Sequence, residues 1–423
     1  MARAAHAGER CSWSARRLRP GLQRGHAAAA LGLSTRRGPM KPDVLIAGGG
    51  VAGSTLAILL GRAGLAVELF ERDDFPREKA CGEGLMPAGV AVLRRLGLVD
   101  GVGGMPFRGV RYHFRGRVVS GRFPAGAGPR EGLAQRRVVL DRVLFEAAAG
   151  TAGVRARTKA MVEGPIVERG RVTGLMIDGA AHRAPLIVAA DGVHSRIRRA
   201  LGLDRALRRR RLGMRAHFRV ADGFEASPWV DIYLGKGHEL YVASLPRGEL
   251  LVAALADAEP LHAPAEILFE RWWHAQPLLA ERLRGASRLT PVRGTFPLAG
   301  ARSGTAPGVV LLGDAAGALD PIAGGGMTHA LQGAELLARF ASRGVAEADS
   351  WFPEFERGRA ALLRDYATVT RGMLWLARHP GLVPPALGAL RSWPTALSHL
   401  LGVAGGTRAL FEFGPSRRLG GRI

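Results

Sequence analysis

Val44-Leu45-Ile46-Ala47-Gly48-Gly49-Gly50-Val51-Ala52-Gly53 decides the fold. Four consecutive apolar residues suit a short strand buried on both faces of a parallel sheet. The glycines behind them contain G-x-G-x-x-G, and Ala52, Leu56, Leu59, Leu60 and Ala63 then recur at helical spacing. Gly64 suits the end of that helix, and Val67–Phe70 reads as the next strand. Strand, glycine turn, helix and strand form a βαβ unit, so the chain begins as α/β. Gly48 permits the tight turn, Gly50 lets the backbone approach a pyrophosphate, and Gly53 lets the helix pack on the strand. With Ala52 they form the first candidate cofactor-binding set, backed by the amides and partial positive charge of a helix N-terminus. Glu71 ends the second strand 18 residues past Gly53, followed by Arg72. A carboxylate there can accept hydrogen bonds from an adenosine ribose, which favours FAD or NAD over NADP. A βαβ turn without a ligand is the blander reading.

Outward from this unit, Arg108–Phe123 reads as a hairpin turning at Gly116, and Val138–Ala149 as a helix. Leu186–Ala190 and Val309–Leu312 repeat the buried-strand pattern. Residues 212–256 alternate like antiparallel strands, with turns at Gly235-Lys236-Gly237 and Arg247-Gly248. Residues 325–342 are expected to be helical, as is the tail from about 350, with breaks at Pro380, Pro384-Pro385 and Pro394.

Residues 1–39 hold eight Arg and one acid, Glu9. An Arg-rich targeting peptide is one reading; the other, favoured here, is that translation starts at Met40 and that residues 1–39 are disordered. The formal net charge of +24 invites nucleic acid, but 56 of the 60 cationic residues are Arg, a ratio that points to coding bias, and no zinc-finger or RNA-binding motif accompanies it. Two cysteines, Cys11 and Cys81, argue against a disulfide framework and fit a reducing, cytoplasmic compartment. No run of about 18 uncharged apolar residues is present, so no transmembrane helix is expected; peripheral membrane contact stays open. No metal site is read.

Two further motifs each follow a buried strand: Ala190-Asp191-Gly192-Val193-His194-Ser195-Arg196 and Leu312-Gly313-Asp314-Ala315-Ala316. With the glycine turn they give G-x-G-x-x-G, A-D-G-x-x-S-x-x-R and G-D-A-A in that order. This pattern resembles the flavoprotein monooxygenases of the para-hydroxybenzoate hydroxylase fold, a fold shared with geranylgeranyl reductases and flavin-dependent halogenases, over roughly residues 42–345. The resemblance implies FAD, with Asp314 and Gly313 at the ribityl chain, Asp191 and Gly192 near the pyrophosphate, and Arg137 near the cofactor. In Asp320-Pro321-Ile322-Ala323-Gly324-Gly325-Gly326 it implies amides of Gly325 and Gly326 facing the flavin. Lys79-Ala80-Cys81-Gly82-Glu83-Gly84 resembles the geranylgeranyl-reductase segment beside the flavin, making Cys81 and Glu83 candidates for substrate contact and Glu83 a candidate proton donor. Cys81 as a small buried hydrophobe is the plainer reading. Tyr241 lies where the reductases carry a longer aromatic pattern, of which this chain lacks the tryptophan. Trp272-Trp273 does not match the halogenase W-x-W-x-I-P. Arg208-Arg209-Arg210-Arg211 could attract a phosphorylated cofactor, and His329 reads better as a packing than a catalytic residue.

The expected architecture is a Rossmann-like α/β FAD domain (40–107, 130–204 and 293–345) interleaved with an antiparallel sheet domain for substrate (108–129 and 205–292), followed by a helical segment, 346–423. The expected reaction is NAD(P)H-dependent monooxygenation of a hydrophobic small molecule. The alternatives are reduction of prenyl C=C bonds and a non-catalytic FAD-binding or lipid-carrier protein. The apolar and Arg-rich tail between 367 and 403 is read either as core or as a lid that also touches a membrane.

Overall fold

The computed structural model describes residues 41–411 apart from 127, 208–210, 221–224, 258–262 and 296–297. The expectations for residues 1–39 and for Arg208–Arg210 lie outside the described residues.

A six-stranded sheet runs in the order Thr305–Ala306, Val309–Leu311, Leu186–Ala189, Val44–Ala47, Val67–Phe70, Val154–Arg157, parallel except for the first strand. Val44 and Ile46 face the helices Val51–Arg62, Arg137–Ala149 and Gly326–Ala341. Leu45 and Ala47 face a three-stranded antiparallel sheet (Val162–Glu168, Arg171–Ile177, Ala180–Arg183) through Val172, Leu175 and Ile177. Cover on both faces is the reason these central strands contain only apolar residues.

A second, larger sheet joins Arg211–Arg219, Glu249–Asp257, His238–Leu245, Trp229–Leu234, Gly109–Phe114 and Arg117–Arg122 in that order. Its strands come from two excursions of the chain. The pair that joins the excursions, Gly109–Phe114 with Trp229–Leu234, is parallel. The antiparallel expectation holds within each excursion, where tight turns reverse the chain, and gives way at the seam, where no turn dictates direction.

Each excursion is clasped at its root. Met105–Phe107 pairs antiparallel with Gly132–Ala134 around the hairpin, and Asp204–Arg205 pairs with Gly300–Ala301 around the longer segment. One face of the large sheet packs on helices Ala265–His274 and Pro277–Arg282 through Met214, Phe218, Val252 and Phe269. The other face, with Val110, Phe114, Ile232 and Leu251, meets Val383, Leu387, Leu397 and Leu401 of the C-terminal helices.

Those helices are Ala348–Arg378, Val383–Ser392 and Pro394–Ala404. Pro380 and Pro394 stand at breaks, as expected. Pro384-Pro385 does not interrupt: both sit in the first turn of a helix, where the missing N–H costs nothing.

Candidate functional site

The glycine turn is built as its sequence requires. Gly48 has φ +103°, and a Cβ there would lie 2.4 Å from the Ala190 carbonyl oxygen. A Cβ on Gly53 would lie 1.9 Å from the Gly48 oxygen, so only glycine lets this helix sit so close to its strand. Gly53 is therefore a packing residue, not a wall of the cleft. At Gly50 the space is open, with Arg77 Nη2 the nearest atom at 3.5 Å. Gly48, Gly50 and Ala52 line a cavity that the N-terminus of Val51–Arg62 enters.

Glu71 is buried, and its carboxylate accepts from Gly49 N at 2.8 Å and Asp73 N at 3.1 Å. It thereby holds the glycine turn while still lining the cavity, and a carboxylate has acceptor capacity left for a ribose. Arg72 stands at the rim, exposed and paired with Asp73. Arg77 bridges Glu71 and Asp141 at 3.4 and 3.3 Å, and Asp141 in turn receives both forks of Arg137 at 2.7 and 2.8 Å. Lys79 reaches beside Gly192, its Nζ 3.6 Å from where a Cβ would be. Burial and the Arg137 guanidinium lower the proton affinity of that ammonium, with Asp314 partly restoring it. Arg77 and Lys79 thus put two cationic side chains on the cavity wall beside Gly50 and Gly192, a pairing that suits an anionic group.

The two later motifs meet at Arg198. This buried arginine donates to the carbonyls of Val193 at 2.7 Å, Ala315 at 3.0 Å and Asp314 at 3.3 Å, and pairs with Asp204 at 2.6 Å. Asp191 Oδ2 caps a short helix through Arg196 N at 2.8 Å, so the bland strand-end turn is part of its role. Its Oδ1 is buried with no partner among the described residues, and burial raises the carboxyl toward the neutral form. Gly192 (φ +83°), Gly313 (φ +60°) and the half-buried Asp314 all line the same cavity.

On the far side, Gly326 opens its helix against the cavity. Gly325 corrects the sequence reading: its amide is buried and donates to Tyr366 Oη at 2.9 Å, so it is not offered to a ligand. Tyr241 lines the cavity but donates its hydroxyl to the Ile322 carbonyl at 3.0 Å, and burial raises its proton affinity well above the ordinary phenol value. Both features make Tyr241 a brace for the glycine segment and a poor proton donor. Burial likewise lowers His329 to about 4, leaving a neutral ring edge-on to Tyr366, which fits its packing role.

Glu83 and Cys81 share one tight loop. Cys81 is a free, half-buried thiol whose sulfur accepts from Glu83 N at 3.3 Å, and it packs beside the apolar core. Glu83, at φ +53°, is a non-glycine residue in the left-handed region, a strain that clusters at functional sites. Its Oε1 accepts from Arg137 N at 3.0 Å, and its Oε2 lies 2.7 Å from His217 Nε2. His217 Nδ1 faces Thr290 Oγ1 at 3.1 Å and Arg215 Nη1 at 3.4 Å. The arginine can only donate, which assigns Nδ1 as acceptor and places the ring proton on Nε2, toward Glu83. Arg215 is held by Glu78, which also pairs with Arg136 at 2.6 Å. The carboxylate at Glu83 therefore accepts hydrogen bonds from two sides, which fixes its orientation in the loop.

All these groups line or flank one cavity of about 1160 Å³, larger than the roughly 300–1,000 Å³ of ordinary ligand sites. Beyond the cradle its walls turn apolar: Tyr112, Phe114 and Ile232 from the large sheet, and Leu376, Val383 and Leu387 from the C-terminal helices. The sequence pointed to Gly48, Gly50, Ala52, Glu71, Arg137, Asp191, Gly192, Gly313 and Asp314, and the fold brings them together. Arg77, Arg198 and His217 were missed. Arg198 is the last residue of A-D-G-x-x-S-x-x-R and was within reach of motif reading; nothing in the alternating strand around His217 marks it.

The family described as "FAD binding domain" matches residues 41–349. The chain is 32% identical over 338 residues to the menaquinone reductase of Mycolicibacterium smegmatis, covering 74% of this chain and 80% of that protein. It is 28% identical to the digeranylgeranylglycerophospholipid reductase of Methanosarcina mazei, covering 73% and 77%. Among solved structures, a flavoprotein/dehydrogenase from Cytophaga hutchinsonii superposes with a TM-score of 0.76 at 21% identity, covering 86% of this chain and 93% of that one.

Proposed function

The chain belongs to the FAD binding domain family, and from that footing we propose that it is an FAD-dependent reductase that saturates a carbon–carbon double bond of a long prenyl substrate. The chain is an FAD-dependent oxidoreductase of the para-hydroxybenzoate hydroxylase fold. Monooxygenation, favoured by the motifs alone, becomes the rival, because the two relatives named above are both reductases by name, one of menaquinone and one of digeranylgeranylglycerophospholipid.

One observation carries the reading: the cradle and the apolar chamber are a single continuous cavity. A prenyl chain has no polar atoms to recognise, so a site for it needs length and apolar walls more than hydrogen bonds. FAD, when bound and reduced, would supply the electron pair. We assign Gly48, Gly50, Ala52, Glu71, Asp191, Gly192, Gly313, Asp314 and Gly326 to its binding, with Arg77 and Lys79 at the pyrophosphate. A nicotinamide nucleotide is the proposed source of electrons. Saturating a double bond also takes a proton at carbon. Thr290 Oγ1, His217 and Glu83 Oε2 form a continuous chain of exchangeable positions that reaches the cavity wall, and we assign proton delivery to it.

The test is anaerobic. FAD-loaded protein is reduced and mixed with a geranylgeranyl lipid that has no quinone head, since a quinone would reoxidise the flavin by itself. Reoxidation with a product two hydrogens heavier is expected. No anaerobic turnover, with an oxygen-dependent product one oxygen heavier, overturns the proposal in favour of monooxygenation.

A further inference from the structure

The structure splits the apolar residues of the tail into two sets. Val383 and Leu387 are buried on the inner side of helix Val383–Ser392, and Leu390 lines the cavity with them. Leu382, Pro385, Ala389 and Trp393, spaced at three- and four-residue steps, are exposed, Leu382 by 43% and Trp393 by 66%. Arg391 is the only charged residue in this helix. A helix apolar on both sides is ordinarily buried on both sides; this one is covered on the inner side only.

The surroundings indicate what covers it. Trp375, 55% exposed, lies in the last turn of the preceding helix, so tryptophans stand before and after the apolar face. From Tyr366 to Phe411 the chain contains Arg371, Arg378, Arg391 and Arg408 and no Asp or Glu. Tryptophans bracketing an apolar face, with Arg378 and Arg391 beside it and no acid in the segment 366–411 that carries it, suit the headgroup layer of an anionic bilayer. No helix among the described residues is long and apolar enough to cross a membrane, so contact through this face would be lateral.

We propose that helix Val383–Ser392, with Trp375, Leu382 and Trp393, is an interfacial anchor that docks the protein on an anionic lipid surface. The same helix then has bilayer on one side and the apolar chamber on the other. It is the partition a prenyl chain crosses to reach the cradle. That last role rests on the reductase reading; the docking does not.

The experiment uses full-length, FAD-loaded protein and flotation with vesicles of phosphatidylcholine alone or mixed with phosphatidylglycerol. Co-flotation with the mixed vesicles is expected, at least about tenfold stronger than with phosphatidylcholine and fading with salt. Arg378→Gln and Arg391→Gln should each weaken it about fivefold. Leu382→Gln with Trp393→Ser should weaken it at least about tenfold, the loss for withdrawing a large apolar side chain, with flavin content and melting temperature unchanged. Absence of flotation at low salt, equal flotation with both vesicles, or undiminished flotation of the double variant overturns the proposal. So does a dimer in sedimentation that the double variant abolishes, which would make a second copy the occupant. Flotation that persists while anaerobic turnover of detergent-dispersed substrate fails would count against the reductase reading alone.

Discussion

Glu83 Oε2 lies 2.7 Å from His217 Nε2, a contact between a strained loop of the cofactor domain and strand Arg211–Arg219, 134 positions further along the chain. Both side chains are buried. The pair ties the loop before Gly84 to the large sheet, and under the proposed reductase reaction it stands where the proton is delivered.

Glu83→Gln keeps the shape of the side chain and removes its ability to carry a proton. Flavin content and reduction by a nicotinamide nucleotide should match the wild type, while anaerobic reoxidation by prenyl substrate slows by about a hundredfold or more, the usual scale of general acid catalysis. Stopped-flow absorbance separates the two half-reactions. An unchanged reoxidation rate would place the proton source elsewhere.

Gly53 and Gly50 are expected to fail differently. Gly53→Ala drives a methyl to within 1.9 Å of backbone at Gly48 and should destabilise the fold by about 1–3 kcal/mol, seen as a lower melting temperature of ligand-free protein. Gly50→Ala meets only the end of Arg77 and should leave that melting temperature alone while weakening FAD binding. Identical behaviour of the two variants would refute these separate roles.

Asp314→Ala should raise the FAD dissociation constant about tenfold to a hundredfold, the value of one hydrogen bond to a charged acceptor. Equilibrium dialysis or flavin fluorescence reads it directly, and full flavin retention after dialysis would remove Asp314 from the site.

Lys79 makes FAD binding pH-dependent. Burial lowers its proton affinity in the ligand-free protein, and a phosphate beside it would raise it again. Binding therefore takes up a proton, and by linkage affinity falls as pH rises through the ligand-free Lys79 titration, below the ordinary lysine value of about 10.4. Lys79→Met should bind FAD more weakly at neutral pH and lose this slope. A slope that survives in Lys79→Met would assign it to another group.

What the sequence discloses is governed by distance along the chain. Val44–Ala47 and the glycines behind it announce themselves because their constraints are local: cover on both faces leaves only apolar residues, and a Cβ at Gly48 or Gly53 strikes backbone. Gly325 misleads because the acceptor for its amide, Tyr366, is 41 residues downstream. Pro384-Pro385 misleads because a proline that ends one helix and one that begins the next read alike until the caps are seen. His217 is silent for the same reason as Gly325: its partner Glu83 sits in a loop 134 residues away, and one histidine in an alternating strand has no periodic signature.

The two short clasps, Met105–Phe107 with Gly132–Ala134 and Asp204–Arg205 with Gly300–Ala301, bring each excursion back to where it left the cofactor domain. The large sheet is therefore plugged into a socket whose ends are already tied. Joining a different sheet at residues 107/132 and 205/300 would leave the strand order of the cofactor sheet unchanged, while the chamber wall from the C-terminal helices would have to match the newcomer.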